Sequence, residues 1–269
     1  MAATVFIGGG NMASALVGGI VRAGGDAAEV LVVEPDAAQR ERLEARHGVA
    51  TLAAADASIA RATMVVWAVK PQAFADAARA CTPHLATALQ LSVLAGIRSS
   101  AIVRASGSER VVRAMPNTPA LIGEGIAALY ARPEAAASDR ERCQALLAST
   151  GQTLWVEREA SLDAVTALSG SGPAYVFYLL EAMMAAGEAL GLTAEQARLL
   201  AIQTVRGSAA LAAEASETPA MLRARVTSKG GTTHAAMETL EARSVRDAFV
   251  AAITAAEERA KALGDEFDH

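Results

Sequence analysis

Phe6-Ile7-Gly8-Gly9-Gly10-Asn11-Met12-Ala13 decides the fold of this chain. It is a GxGxxA element that follows a β-rich run at residues 4–7 and opens a helical pattern at residues 11–23. Gly8 permits a tight turn, Gly10 lets the backbone approach a pyrophosphate, and Ala13 keeps the helix close to its strand. The pyrophosphate would rest on N–H groups at the helix N-terminus, where the dipole favours an anion. Such a pattern alone is weak, and a merely structural tight turn competes with it. Here the strand–turn–helix context is present, so residues 8 to 13 are read as a dinucleotide turn. Glu34 ends the next β-rich run, about 20 residues after Ala13, where a carboxylate bonds the adenosine ribose of NAD and repels the 2′-phosphate of NADP. The competing reading of Glu34 is an exposed carboxylate at a strand end. Arg40 and Arg42 follow within two turns and could approach a phosphate, so the cofactor is read as NADPH or NADH, tilted towards NADH.

Outward from that turn, apolar β-branched runs recur at residues 30–33, 64–69, 90–94 and 110–115, with helical patterns at 36–47 and 72–84. Near-continuous apolar strands spaced by helices predict a parallel sheet covered on both faces, the doubly wound α/β class. Residues 126–130 and 153–156 could add two strands around a helix at 134–149. Past Glu157 only helical patterns remain, at 173–190, 193–215, 233–242 and 244–263. The first of these places Val176, Leu180, Met183 and Leu190 on one face. The predicted division is a Rossmann-type dinucleotide-binding domain over residues 1–157 and an all-α domain over 158–269. The helical part has so much apolar surface for its size that burial against another subunit is expected.

Composition bounds the partners. A length of 269 residues holds one large domain or two ordinary ones. Hydrophobic residues at 52% and charged residues at 20% exclude a disordered chain. Lys and Arg number 24 against 29 Asp and Glu, a net charge of −5 with no basic stripe, so no nucleic-acid partner is expected. Cys81 and Cys143 lack metal spacing and cannot form a disulfide framework. A reducing compartment and no metal follow from that reading. The apolar N-terminal stretch lacks a basic flank and is broken by its glycines, and no apolar run approaches the ~20 residues of a membrane span. A soluble, cytoplasmic protein is expected.

Loops that follow strand ends line the ligand crevice of an open parallel sheet. Ala68-Val69-Lys70-Pro71 is the first, and Lys70 there could touch phosphate or ribose or be a solvated lysine. Ala95-Gly96 is the second. In Met115-Pro116-Asn117-Thr118-Pro119 two prolines stiffen the third, which fits a held Asn117 and a ligand-free rigid turn equally well. In the helical half, Leu168-Ser169-Gly170-Ser171-Gly172-Pro173 is a helix start with little side-chain bulk. Val226-Thr227-Ser228-Lys229-Gly230-Gly231-Thr232-Thr233 offers successive backbone donors suited to a small carboxylate. An ordinary helix cap explains one hydroxyl there, and the octet poorly.

Taken together, the glycine turn, AVKP, MPNTP, LSGSGPAY and VTSKGGTT resemble pyrroline-5-carboxylate reductase, from the first strand to the last helices. The resemblance implies a Rossmann domain and an interleaved helical dimerisation domain, with five dimers able to form a decamer and substrate held at the dimer interface. It implies a cofactor site of Gly8, Gly9, Gly10, Asn11, Met12, Ala68, Val69, Lys70, Pro71, Ala95 and Gly96, to which the strand-end reading adds Glu34. It implies a substrate loop of Ser228, Gly230, Gly231, Thr232 and Thr233, with the Thr233 hydroxyl beside the ring nitrogen and the Thr232 backbone near the carboxylate. Glu159 matches a substrate-side acidic position. Glu34 and Arg225 depart from the family, many of whose members have a small or basic residue at the first position and some an asparagine at the second.

The reaction so implied is hydride delivery from NAD(P)H to the C=N carbon of (S)-1-pyrroline-5-carboxylate, giving L-proline. Thr233 would orient the imine, and His234 is the neighbouring ionisable group, either a proton donor or part of the helix end. A 3-hydroxyacid dehydrogenase or another imine reductase is the enzymatic alternative, with Lys229 as its only base in the loop. A non-catalytic nucleotide-sensing protein of the same fold is the other.

Overall fold

The computed structural model of the chain describes residues 3–85 and 87–267. In chain order its first part runs β1 (Thr4–Ile7), α1 (Asn11–Arg22), β2 (Val30–Val33), α2 (Ala37–His47), β3 (Ala50–Leu52) and β4 (Met64–Trp67). Then come α3 (Phe74–Cys81), β5 (Leu89–Ser92), α4 (Ser99–Ser106), β6 (Val111–Met115), β7 (Gly125–Ala131), α5 (Ala137–Ala148), β8 (Gly151–Trp155) and α6 (Ser161–Val165). The eight strands form one sheet in the order β3-β2-β1-β4-β5-β6-β7-β8. Strand order reverses at β1, which pairs parallel with β2 on one side and β4 on the other. That reversal is the switch point at which open α/β sheets bind ligands.

Strand alternation sends neighbouring side chains of β1 to opposite faces. Phe6 joins a core with Leu16, Val17, Leu43 and Leu147, under α1, α2 and α5. Val5 and Ile7 join a second core with Trp67, Phe74 and Ile102, under α3 and α4. With both faces covered, β2, β4 and β5 are buried along their whole length. Gln90 is polar inside this layer and is satisfied there: its Oε1 accepts from Trp67 Nε1 at 2.9 Å and its Nε2 donates to Ala88 O at 3.0 Å.

The sheet departs from the all-parallel expectation at one place. β7 runs antiparallel to β6, with Arg113 opposite Tyr130. The link between them holds only a short 3₁₀ turn, Thr118–Ile122, and a parallel return would need a crossover of about a dozen residues or more. Residues 99–106 and 161–165 form helices beyond those the sequence pattern predicts, and β3 is a three-residue edge strand too short for any periodicity.

The chain divides into two compact units, residues 1–171 with 255–269, and residues 172–254. The second unit is helical: α7 (Gly172–Ala189), α8 (Ala194–Glu214), α9 (Pro219–Arg225), α10 (Thr232–Ala242) and the first turns of α11 (Val245–Glu266). Thr193 and Gln196 cap α8 reciprocally, backbone N–H to side-chain oxygen in both directions. Gly187 lets α7 approach α8, since a Cβ there would stand 2.9 Å from Ala197 Cβ. Ala197 and Ala201 are the only buried residues of this unit. Of the apolar face read along residues 173–190, Val176 and Leu190 are exposed and Leu180 and Met183 half-buried. No helix among the described residues is long and apolar enough to cross a membrane.

Candidate functional site

Gly8 leaves β1 with φ +98°, and a Cβ there would lie 2.7 Å from Ala68 O and 2.8 Å from Val69 N. Only glycine fits between these backbones. Gly9 is equally confined, by Leu43 and by the Glu34 side chain. At Gly10 a Cβ would meet nothing within 4 Å. Gly10 is the N-cap of α1 and, having no side chain, leaves the first N–H groups of that helix uncapped. An open, uncapped helix N-terminus at the switch point is the cradle a pyrophosphate needs.

A groove of about 550 Å³ runs from this turn, lined by Gly8, Gly10, Glu34, Ala68, Val69 and Lys70 among others. Alanines at positions 53, 54, 55, 73, 77 and 80 supply much of its remaining wall. Glu34 stands at the end of β2, and its carboxylate accepts from Gly9 N–H at 2.8 Å and Asp36 N–H at 2.9 Å. Gln39, which the sequence reading overlooked, braces the turn from the other side by donating to Gly9 O at 2.5 Å. Asn11 lines a neighbouring cleft with Ser14, Arg42 and Arg46, and Met12 packs against the core. Gly96 has φ +76° and faces Leu263 and Phe267. Neither Ala95 nor Gly96 nor Pro71 is among the residues lining the groove.

The structure gives Glu159 internal partners, where the sequence reading put it on the substrate side. Its carboxylate accepts from Ser99 N–H and Ser99 Oγ, both at 2.6 Å, and from Arg113 Nη1 at 2.8 Å. Burial alone would raise its pKa; the Ser99 hydrogen bonds and the Arg113 guanidinium outweigh that and hold the carboxyl below its ordinary range. Arg98 Nη1 donates to Asp163 Oδ2 at 2.9 Å beside this pair. Arg113 had a legible signal: an arginine inside an apolar strand run must find a counter-ion. Asn117 is also spent internally. Its Oδ1 accepts from Ile126 N–H at 3.0 Å and its Nδ2 donates to Ser169 O at 3.2 Å, the arrangement of a rigid turn.

In the helical unit, Gly230 takes φ +75° and Gly231 is the N-cap of α10, again without a side-chain cap. Gly231 N–H donates to Ser228 O at 3.0 Å, and a Cβ on Gly231 would stand 2.7 Å from Ser228 Oγ. The loop thus presents the free N–H groups of Thr232 and Thr233 at a helix start, with Thr232 exposed and Thr233 half-buried. His234 turns along its helix towards Glu238, 3.4 Å away, and Arg225 pairs with Glu217 at 2.8 Å.

Fold and groove define a doubly wound dinucleotide-binding protein joined to a helical unit with most of its apolar surface exposed. Residues 4–96 match the family described as NADP oxidoreductase coenzyme F420-dependent, and residues 159–263 the one described as pyrroline-5-carboxylate reductase dimerisation. A pyrroline-5-carboxylate reductase of Pseudomonas aeruginosa is 41% identical over 97% of this chain and 96% of its own. That of Coxiella burnetii superposes with a TM-score of 0.89 at 36% identity, covering 97% and 98% of the two chains. The Plasmodium falciparum enzyme, solved with NADP bound, superposes with a TM-score of 0.88 at 28% identity, covering 98% of each. The chain belongs to the pyrroline-5-carboxylate reductase family.

Proposed function

We infer that this chain reduces (S)-1-pyrroline-5-carboxylate to L-proline with NADH or NADPH, the last step of proline biosynthesis. The observation that carries the reading is similarity to pyrroline-5-carboxylate reductases along the whole chain, helical half included. Bound NAD(P)H supplies the hydride. Residues 1–157 bind it and residues 158–269 hold substrate and dimerise. Gly8, Gly9, Gly10, Asn11 and Met12 form the pyrophosphate turn, Glu34 meets the adenosine ribose, and Ala68, Val69 and Lys70 form the facing wall, with Pro71 closing their loop behind it. Glu159 acts from behind: it fixes Ser99 at the start of α4, and so the preceding loop with Ala95 and Gly96. Ser228, Gly230 and Gly231 shape the loop in which the Thr232 N–H receives the substrate carboxylate. The Thr233 hydroxyl accepts a hydrogen bond from the protonated ring nitrogen, which keeps the C=N carbon electrophilic and in line. Such positioning is worth several kcal/mol without a strong acid.

The working unit is a homodimer built through the helical half, and five dimers could form a decamer. The cytoplasm is its compartment, which suits two buried free thiols at Cys81 and Cys143. The test is oxidation of NADH and of NADPH in the presence of racemic pyrroline-5-carboxylate, with proline measured as product. Tight nucleotide binding without proline formation would favour a sensing role and overturn the reading.

A further inference from the structure

The Glu34 carboxylate is pinned at the groove by two backbone N–H groups, those of Gly9 and Asp36. A carboxylate has about four acceptor positions, so two remain for neutral donors such as the hydroxyls of an unphosphorylated ribose. A phosphate monoester offers no donor of this kind and carries about 1.5 to 2 negative charges at neutral pH. Glu34 cannot swing aside cheaply, because both N–H bonds would be surrendered. Its Cβ and Cγ also lie 3.0 Å from where a Gly9 Cβ would be.

The nearby arginines are not among the residues that line the groove, and Arg40 keeps its charge on the backbone side of Glu34. Arg40 Nη1 donates to the carbonyls of Glu34 at 2.9 Å and Pro35 at 2.8 Å. Arg42 Nη1 donates to Gln39 Oε1 at 3.1 Å, and Arg42 and Arg46 line the neighbouring cleft with Asn11 and Ser14. Among the described residues lining the nucleotide groove, Glu34 and Asp76 face a single cation, Lys70. The side chains lining the groove therefore carry excess negative charge before any nucleotide enters.

We propose that this chain selects NADH over NADPH and that Glu34 is the specificity-determining residue, excluding the 2′-phosphate by charge and by acceptor-only chemistry. The proposal rests on the dinucleotide reading given above and parts from the Plasmodium falciparum relative, which was solved with NADP.

The test is equilibrium titration of the full-length protein with NADH and with NADPH by nucleotide fluorescence, supported by competition with ADP and with adenosine 2′,5′-bisphosphate. NADH should bind at least about tenfold more tightly, the size of one like-charge contact near a surface, and ADP should be the better competitor. Glu34→Gln keeps an acceptor for Gly9 N–H and removes the charge, so the gap should mostly close; Glu34→Ser should close it further. Equal or tighter NADPH binding by the wild type overturns the proposal without touching the assigned reaction, and needs no variant. A gap that persists in both folded variants overturns the role of Glu34. Binding of neither nucleotide overturns the dinucleotide reading and this proposal with it.

Discussion

Thr233 sits one residue inside α10, behind an N-cap, Gly231, that offers no side-chain acceptor. Its hydroxyl is the group assigned to the imine, and Thr233→Ala removes one hydrogen bond to a charged partner, roughly 1.5–3 kcal/mol. That corresponds to about 10- to 150-fold in kcat/KM, with nucleotide affinity unchanged and Thr233→Ser close to wild type. An alanine variant with full activity would leave the work to the backbone N–H groups alone. Glu159 makes a different prediction, about stability. Arg113 is buried and already leaves Nε without a hydrogen-bond partner, so Glu159 is what neutralises it. Glu159→Gln should cost roughly 3 kcal/mol at neutral pH, the lower end for breaking a buried pair. The folded-state pKa of Glu159 is depressed, so its stabilisation is complete above the ordinary carboxylate range and is lost as pH falls through the folded value. Urea unfolding at successively lower pH should therefore show wild type and variant converging in acid. A gap independent of pH would mean that packing, not charge, holds the pair.

At the level of elements, Gly8 and Gly10 separate folding from binding. Gly8→Ala forces a Cβ into two backbone groups at a positive φ, and the left-handed conformation alone costs about 1–2 kcal/mol; thermal melting should drop clearly. Gly10 has φ −67°, which alanine adopts freely, and open space beside it. Gly10→Ala should melt like wild type yet bind NADH at least about tenfold more weakly, since the methyl fills part of the cradle. Undiminished binding by the Gly10 variant would move the pyrophosphate away from α1. These elements were legible because β1, β2 and α1 have the bounds, within a residue, that continuous apolar runs and glycine placement predict. The direction of β7 was not legible, because it depends on what the link after Met115 can span, not on any pattern inside the strand. Glu159 was read from resemblance as substrate-side, and its hold on Ser99 and Arg113 joins residues 46 to 60 positions apart that no local pattern connects.

For the whole molecule, the helical unit poses the sharpest energetic question. Two alanines are its only buried residues, while Phe177 is 59% and Tyr178 73% exposed, as are most of the large apolar side chains of α7 and α8. Tyr175, Tyr178, Phe249 and Ile253 also edge an apolar hollow of about 290 Å³ on this unit. Monomers seldom expose apolar patches beyond a few hundred Å², so a second copy is the occupant expected of this face. In a two-fold dimer each substitution counts twice. Burying Phe177 fully contributes about 2 kcal/mol per copy, so Phe177→Asp should weaken the dimer by roughly 4 kcal/mol, about a thousandfold in Kd. Light scattering at micromolar concentration should show the wild type as a dimer or a multiple of one, and the variant shifted towards monomer. Because folding and association are linked in such a protein, the melting temperature of the wild type should rise with protein concentration. A wild type that scatters as a monomer, melts independently of concentration and reduces the imine at full rate would remove the dimer from the mechanism.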